Sequence, residues 1–289
     1  MLRLRSLSPW LFCLLLLIPV PPIYRYFFPV ATRDGADHVA LLADTQNSCI
    51  ENQRQVVATL ARHQDETLIL AGDVVNACLC TAGNGVCIAR LWDEQLALLN
   101  GLPTMRGYAP GNHDHCHGDM SIDEWTAHAG ATYSQLDTDH ACFFLVDDNQ
   151  RQDAAQAAWL KSAIALCNRP WRILVKHLPM PHGAYDWPEI EAGSAYDDAE
   201  VDVVVAGHQH AFAVWEDARG RLNITLPAAG CFLNWMCKPY PIQAPKTITP
   251  FIVPAYGFGE LQITADALNW SIYRYDDLLL LSGQLRRQS

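Results

Sequence analysis

The chain has 289 residues, half of them hydrophobic, and a formal net charge of −11. A chain of this size and composition can bury a sizeable core, which excludes an intrinsically disordered protein. The acidic surface repels nucleic-acid backbones, so we expect no nucleic-acid duplex as a partner, and nothing in the sequence indicates a protein partner. A small anionic substrate remains compatible with this charge, because bound metal ions can dominate the local potential.

The N-terminal segment has the pattern of a targeting sequence. Two arginines precede an apolar run over residues 10–20, which has the length of a signal-peptide core. Apolar character continues beyond this run but is interrupted by Arg25 and by prolines, so an uncleaved anchor and a cleaved signal are both open. We expect a signal or anchor over residues 1–31 and one domain over residues 38–282. The domain should lie outside the cytoplasm, in a periplasm or secretory lumen, and should be secreted if the signal is cleaved.

The cysteine content agrees with export. Nine of the ten cysteines lie beyond the N-terminal apolar run, and an oxidising compartment would pair most of them. The spacings do not form the Cys-x-x-Cys pairs that are usual in structural zinc sites. We therefore expect disulfides, with one free thiol because the number is odd.

Strands and helices alternate in the first part of the predicted domain. Compact apolar runs predict buried strands over residues 38–43 and 67–71, and a third strand is expected over residues 102–108. Helices are expected over residues 52–63, where apolar residues share one face, and over residues 88–99.

The same alternation continues in the second part. Two strands are predicted within residues 132–147, followed by an alanine-rich helix over residues 152–167. Further strands are predicted over residues 171–175 and 201–206. The remainder is mostly β in character, with β-rich segments at residues 212–215, 222–226, 259–263 and 267–275.

Polar clusters follow five of these strands. They are Asp44 with Gln46, Asp73, Asn112 with His113, His177, and His208 with His210. Any one cluster has an ordinary explanation, such as a helix cap or a core histidine. In an α/β sheet, however, residues just beyond the carboxyl ends of strands converge on one crevice. Their mixed oxygen and nitrogen donors suit Mn²⁺, Fe or Zn²⁺ better than Ca²⁺.

The clusters resemble the motifs of the calcineurin-like metallophosphoesterase superfamily. The matching motifs are Asp44-x-Gln46, Gly72-Asp73-x-x-Asn76, Gly111-Asn112-His113-Asp114, His177 and Gly207-His208-x-His210. The resemblance implies an α/β fold of four layers, an αββα sandwich in which two β-sheets lie face to face with helices outside. It also implies two divalent metal ions at the strand ends.

The same resemblance implies roles for the site residues. One metal ion would be held by Asp44, Gln46, Asp73 and His210. The other would be held by Asp73, Asn112, His177 and His208, with Asp73 as the bridge. A hydroxide between the ions would attack a phosphodiester, pyrophosphate or phosphomonoester. His113 would contact the phosphate or protonate the leaving oxygen, and Asp114 would orient its ring.

One departure from the family pattern bears on which metal and which substrate we expect. Gln46 stands where the family usually has histidine, and this variant resembles the subgroup of manganese-dependent ADP-ribose and CDP-alcohol diphosphatases. That favours manganese, with iron or zinc as alternatives, and a small phosphorylated substrate. Candidate substrate contacts in the surrounding loops are His115, His117, His182, Tyr185 and Trp187. The alternative function is a non-catalytic binding module with the same fold.

Overall fold

The computed structural model describes residues 35–47, 50–181, 194–230, 240–241, 246–249 and 251–287. The predicted signal or anchor, residues 1–31, lies outside these ranges, as do three candidate substrate contacts, His182, Tyr185 and Trp187. In the part of the chain that is described, no helix is both long enough and apolar enough to cross a membrane.

The described ranges contain fifteen strands and four α-helices. The strands are β1 (Asp37–Leu42), β2 (Thr67–Ala71), β3 (Met105–Ala109), β4 (Ser134–Asp137), β5 (Ala141–Leu145), β6 (Trp171–Val175), β7 (Val203–Ala206), β8 (Ala211–Glu216), β9 (Leu222–Thr225), β10 (Tyr240–Pro241), β11 (Lys246–Thr247), β12 (Phe251–Pro254), β13 (Gly257–Ile263), β14 (Ala267–Arg274) and β15 (Leu279–Arg286). The helices are α1 (Ile50–Leu60), α2 (Gly85–Leu98), α3 (Asp119–Ala129) and α4 (Ala154–Leu166).

These strands form two sheets. The first has the order β15-β14-β13-β1-β2-β3, and the second has the order β10-β12-β8-β9-β7-β6-β5-β4, with β11 paired to β8. Strands β1, β2 and β3 are mutually parallel. In the second sheet β5, β6, β7 and β9 are also parallel neighbours. The parallel strands form one half of the first sheet and the middle of the second, and within each group the strands all end on the same side.

A shared hydrophobic core joins the two sheets. Leu41 and Ile69 of the first sheet belong to one buried cluster with Phe143, Ile173 and Val205 of the second. Another cluster packs α1 and α2 against the opposite face of the first sheet, and a third packs α4 against the second sheet. The central strands are thus covered on both faces, which explains their continuous apolar sequences. The described chain has a mixed α/β fold with two sheets and few helices.

The strands that carry the polar clusters lie where the apolar runs predict them. Both β2 and β6 have the predicted bounds, and β1, β3 and β7 differ from the prediction by one to three residues. Tertiary pairing sets these remaining ends, because each strand stops where its neighbour no longer offers a hydrogen-bonding partner.

Helix α3 was missed by the sequence analysis, which assigned no element to residues 119–129. Its side chains are mostly polar or small, but Trp125 is fully buried and meets Trp92 of α2 edge-on, with ring centroids 5.3 Å apart. The available signal was the helical spacing of Ile122, Trp125 and Ala129. The short strands β10, β11 and β12 and the edge strand β15 were missed as well.

Disulfide bonds join the described cysteines in pairs, which confirms the prediction of disulfides. The pairs are Cys78–Cys116, Cys80–Cys87 and Cys142–Cys167. No cysteine within the described ranges is free. Cys49, Cys231 and Cys237 lie outside those ranges, so the expected free thiol stays a prediction.

Candidate metal centre

The five polar clusters meet at one edge of the paired sheets. Asp44, Asp73 and Asn112 follow β1, β2 and β3 of the first sheet, and His177 and His208 follow β6 and β7 of the second. Backbone hydrogen bonds fix these loops, for example from the Asp44 amide to the Gly72 carbonyl (3.0 Å) and from the Gly207 amide to the His177 carbonyl (3.0 Å). Parallel strands of both sheets therefore aim their terminal residues at a common crevice.

An unusual backbone conformation marks the same residues. Five predicted ligands have left-handed φ angles: Asp44 (52°), Gln46 (32°), Asp73 (53°), His208 (69°) and His210 (49°). In the described ranges only two other non-glycine residues share this conformation. It is unfavourable for a residue with a Cβ and persists where the surrounding structure enforces it, as at functional sites.

Asp44, Asp73 and His210 form the first group of candidate ligands. Their ligand atoms all lie within 4.8 Å of one another, and His210 Nε2 is 3.4 Å from Asp44 Oδ1. All three side chains are buried. Buried carboxylates need a compensating positive charge, and the carboxylate–imidazole set suits a divalent transition metal.

Asn112, His177 and His208 form the second group around Asp73. Asn112 Oδ1 lies 3.1 Å from His177 Nε2 and 3.0 Å from His208 Nδ1. Asp73 Oδ1 lies 3.3 Å from His177 Nε2. Asp73 therefore contacts both groups, which is the position that a bridging carboxylate requires.

The orientation of the His177 ring is fixed by a contact on the side that faces away from the site. Its Nδ1 lies 3.0 Å from the Ala71 carbonyl oxygen, and donation to that oxygen leaves Nε2 as the atom that faces Asp73 and Asn112. Gly72 makes this contact possible. A Cβ at Gly72, whose φ is +85°, would lie 2.2 Å from His177 Nδ1.

Gln46 reaches the site through its amide nitrogen. Its Nε2 donates to Asp73 Oδ2 at 2.7 Å, while its Oε1 accepts from Asn76 Nδ2 at 3.4 Å. Only the amide oxygen can bind a cation. The structure thus brings Gln46 to the first group, and ligation by its oxygen would require the side-chain amide to turn over.

His113 and Asp114 occupy different environments. His113 is one-third exposed, with its Nε2 3.9 Å from Asp73 Oδ2 and its Nδ1 3.0 Å from Asn76 Oδ1. Asp114 is buried, and its carboxylate accepts backbone amides from Val74 (3.2 Å), Val75 (2.9 Å) and Gly111 (2.8 Å).

These contacts give Asp114 a structural role, while its predicted role in orienting the His113 ring stays a prediction. Asp114 ties the loops after β2 and β3 together, and Asn76 is the residue that holds the His113 ring. The sequence contained the signal, because Asn76 stands in the quoted motif Gly72-Asp73-x-x-Asn76. Asn76 had no predicted role, because the position of a residue in a turn does not reveal which way its side chain points.

Burial and pairing shift the pKa values in the centre. Burial raises the pKa of the Asp44 carboxyl. Burial alone would do the same at Asp73, but His177 and His113 hold the pKa of Asp73 below its usual range. Burial opposes protonation of His177, yet the Asp73 carboxylate raises the pKa of His177 to about 10. Burial and the neighbouring His177 lower the pKa of His208 to about 3. Bound cations would take over the charge balance that His177 provides here.

A sixth strand end, that of β5, also reaches the centre and was not recognised in the sequence. Asp147 Oδ2 lies 3.1 Å from His115 Nε2, and Asn149 Nδ2 donates to the Gly111 carbonyl at 3.1 Å. His117 Nε2 lies 2.8 Å from the Cys80 carbonyl oxygen. His115 and His117 each have one ring nitrogen in contact with the protein, and their predicted contact with a substrate stays a prediction.

The chain belongs to the calcineurin-like phosphoesterase family. The family model matches residues 38–212, which is more than half of the chain and contains all seven predicted metal ligands. No curated protein sequence matches the chain.

Solved structures with phosphatase names share the fold. A purple acid phosphatase from yellow lupin (Lupinus luteus) seeds has a TM-score of 0.66 and 15% identity over 90% of this chain, which spans 55% of the lupin protein. A dimetal phosphatase from Danio rerio has a TM-score of 0.60 and 12% identity over 86% of this chain and 98% of its own. GAP50 of Plasmodium has a TM-score of 0.65 and 13% identity over 88% of this chain and 90% of its own. At these identities the likeness shows the fold alone.

Proposed function

We propose that the protein is a dinuclear metal-dependent phosphoesterase that hydrolyses phosphodiester, pyrophosphate or phosphomonoester bonds of a small phosphorylated substrate. The observation that carries this proposal is the convergence of Asp44, Asp73 and His210, whose ligand atoms lie within 4.8 Å of one another. Membership of the phosphoesterase family and the fold shared with dimetal phosphatases support it. The packed sheets and helices also support the four-layer αββα arrangement and a single domain over residues 38–282.

The donor set fits two divalent ions. One would be held by Asp44, Asp73 and His210, with Gln46 as a further ligand once its amide has turned. The other would be held by Asp73, Asn112, His177 and His208. When bound, the ions supply an activated water and offset the charge of the phosphoryl group. We propose manganese as the metal, with iron or zinc as alternatives, because Gln46 supplies a harder donor than histidine.

His113 is the protein group best placed to handle the substrate. It is exposed enough to meet a ligand, and its Nδ1 is held by Asn76. Its Nε2 faces the site beside Asp73. From this position Nε2 can hydrogen-bond a phosphoryl oxygen or give a proton to the leaving oxygen. Neighbouring Asp114 keeps the loop in place through backbone contacts.

A non-catalytic binding module is the alternative function. GAP50, which shares the fold, is described as the anchor in the inner membrane complex of Plasmodium. The complete set of clustered ligands in the present chain favours catalysis, since a scaffold that only binds a partner has no need of left-handed ligand residues at five positions.

Metal content and turnover together test the proposal. The purified full chain should be stripped of metal, reloaded with Mn²⁺ and assayed with bis-p-nitrophenyl phosphate and p-nitrophenyl phosphate. We expect about two ions per chain and hydrolysis of at least one substrate. In His210→Ala the ion of the first ligand group and the hydrolysis should both be lost. Two bound ions without turnover of these esters, nucleotides, nucleotide-diphosphate conjugates or phospholipid head groups would favour the binding module.

For localisation, we propose that the domain works outside the cytoplasm, attached to a membrane by residues 1–31 or released after their removal. The paired cysteines support an oxidising compartment. Fractionation of cells that express the full chain, with thiol counting in the absence of reductant, tests this. A protein recovered in the cytoplasm with all its cysteines reactive would contradict the proposal.

A further inference from the structure

A second set of metal-binding atoms lies at the rim of the candidate centre. Cys78 Sγ is 3.4 Å from His113 Nδ1, and Cys78 is disulfide-bonded to Cys116. The two sulfurs and the imidazole nitrogen all lie within 4.8 Å of one another. This set shares no residue with the seven predicted ligands, and its soft donors differ from the oxygen-rich donors of that centre.

The spacing agrees with one tetrahedral ion. Zinc binds sulfur at about 2.3 Å and imidazole nitrogen at about 2.0–2.1 Å, which separates the two donors by about 3.5 Å. The distance between Cys78 Sγ and His113 Nδ1 is 3.4 Å. The Cα atoms of Cys78 and Cys116 are 5.1 Å apart, so the two sulfurs stay on one side of the cleft after their bond is broken.

We propose that reduction of the Cys78–Cys116 disulfide creates a site for one soft divalent cation, such as Zn²⁺ or Cd²⁺, held by Cys78, Cys116 and His113. A dithiol reductant gives two electrons to the sulfur–sulfur bond and becomes a cyclic disulfide, leaving two protein thiols. The cation then displaces the two thiol protons to solvent, while the proton on His113 Nδ1 is released and Nε2 takes up a proton from solvent. Both thiolates and the freed Nδ1 lone pair bind the cation. Three protein ligands leave a fourth position for water.

Occupation of this site would stop the proposed reaction at His113. The nitrogen that the cation binds is the one that Asn76 holds in the oxidised protein, at 3.0 Å. Coordination therefore replaces the Asn76 contact that fixes the ring, and we expect His113 to lose the orientation in which Nε2 faces Asp73. This inhibitory consequence rests on the proposed function, whereas the binding of the cation does not.

The other described disulfides provide matched controls. Within the described ranges, neither Cys80–Cys87 nor Cys142–Cys167 belongs to a group of three potential metal ligands. Cys80 lies two residues after Cys78, and Cys87 lies in the first turn of α2, so their replacement by serine tests for unspecific thiol binding nearby. Reduction of these pairs should yield thiols without a third ligand.

Cadmium binding to the full chain, loaded with Mn²⁺, tests the inference. Oxidised and dithiol-reduced samples, with the reductant removed and thiols counted, are titrated with Cd²⁺ while metal content and the ultraviolet cadmium–thiolate absorption are followed. We expect one additional equivalent with a thiolate band in the reduced sample alone. Cadmium that exchanges into the oxygen–nitrogen centre gives no thiolate band, which separates the two sites.

The variants decide which cysteines are responsible. The additional equivalent should be lost in Cys116→Ser and retained in the Cys80→Ser/Cys87→Ser double variant, and His113→Ala should weaken it. The absence of an additional equivalent in the reduced wild-type protein would overturn the inference, even if a serine variant fails to fold. The inference would also be overturned if the Cys78–Cys116 disulfide could not be reduced in the folded protein. If cadmium binds as expected but the protein has no phosphoesterase activity, the proposed cation site is supported. The proposed function is then refuted.

Discussion

His113 Nδ1 lies 3.0 Å from Asn76 Oδ1, a residue 37 positions earlier in the chain. The amide oxygen accepts the proton on Nδ1, so Nε2 is the nitrogen available for a ligand. The Asn76 amide nitrogen in turn donates to Gln46, which donates to Asp73. The orientation of the proposed acid is thus linked by hydrogen bonds to the proposed bridging carboxylate.

His113→Ala should separate proton transfer from metal binding. In the oxidised, Mn²⁺-loaded protein we expect metal stoichiometry and fold to stay intact, because His113 is not among the seven predicted ligands of that centre, while kcat falls by about 10²–10⁴. The loss should be smaller with p-nitrophenolate as the leaving group, which needs little protonation, than with alkyl leaving groups. Steady-state kinetics on a series of leaving groups checks this.

The control for that series is Asn76→Ala, which removes the partner of the ring and leaves the ring itself. The loss of kcat in Asn76→Ala should depend on the leaving group in the same way as in His113→Ala, but it should be smaller. An equal loss for all leaving groups in His113→Ala would restrict His113 to phosphate contact. Loss of metal in that variant would make His113 a ligand.

Asp73→Asn should lower metal content and activity together. Asp73 contacts His177 at 3.3 Å and belongs to the group with Asp44 and His210, so one carboxylate serves both groups of ligands. Metal analysis of the purified variant, alongside its turnover number, measures both. Full activity with two bound ions would rule out the bridging role.

Asp114→Ala should lower the stability of the protein and not only its rate of catalysis. The substitution leaves three backbone amides near Val74, Val75 and Gly111 without their acceptor, and each unsatisfied buried group costs about 1–3 kcal/mol. We expect the free energy of unfolding to fall by at least about 3 kcal/mol, as measured by urea denaturation of the metal-free chain. A variant with normal stability and a reduced rate would return Asp114 to the orienting role that the sequence suggested.

Gly111→Ala should disturb the centre through a steric clash. A Cβ at Gly111 would lie 2.2 Å from both the backbone nitrogen and Oδ1 of Asp73, neither of which can move without moving the ligand. We expect a loss of about 1–3 kcal/mol in unfolding free energy and a lower metal content. The matched control is Gly107→Ala in β3, the strand that precedes Gly111, where the nearest atoms are the ends of Leu145 and Ile69 at 2.9 and 3.0 Å. It should retain metal, and equal metal loss in both variants would contradict the clash at Asp73.

A histidine away from the centre couples stability to pH. His63 Nδ1 lies 2.5 Å from Glu260 Oε1, and its Nε2 lies 2.8 Å from Asp277 Oδ1. Burial alone would lower the pKa of His63, but these two carboxylates raise it to about 9. Because the folded pKa is raised, the stabilisation is fully present below pH 6.5 and is lost as the pH rises through about 9.

His63→Gln should therefore be less stable than the wild type only at lower pH. Near neutral and acidic pH we expect the free energy of unfolding of the variant to be roughly 1–2 kcal/mol below that of the wild type. This figure is discounted because the ring is partly exposed. At alkaline pH the two free energies should be equal. Urea denaturation across this range measures it, with His128→Gln as a control histidine substitution. A difference that is independent of pH would mean that packing of the ring, not its charge, is responsible.

The sequence by itself determined the buried strands that carry the polar clusters and the residues that follow them. Apolar runs such as residues 67–71 and 171–175 form strands with the predicted bounds, because strands buried on both faces tolerate only apolar side chains. The polar residue that follows each run is then forced to the sheet edge. Helix α3 escaped prediction because its stability comes from burial of Trp125 against Trp92, a contact that local sequence does not encode.

Only the tertiary structure decided which atoms of the centre face each other. Asp114 accepts backbone amides, Asn76 contacts His113, and Gln46 turns its amide nitrogen toward Asp73. These contacts depend on side-chain directions in the loops that follow the strands. In such loops neighbouring side chains point in different directions, and contacts between segments distant in the sequence set each direction. Residue type and spacing therefore determined which groups are present, and the packing of two sheets against each other determined what each group contacts.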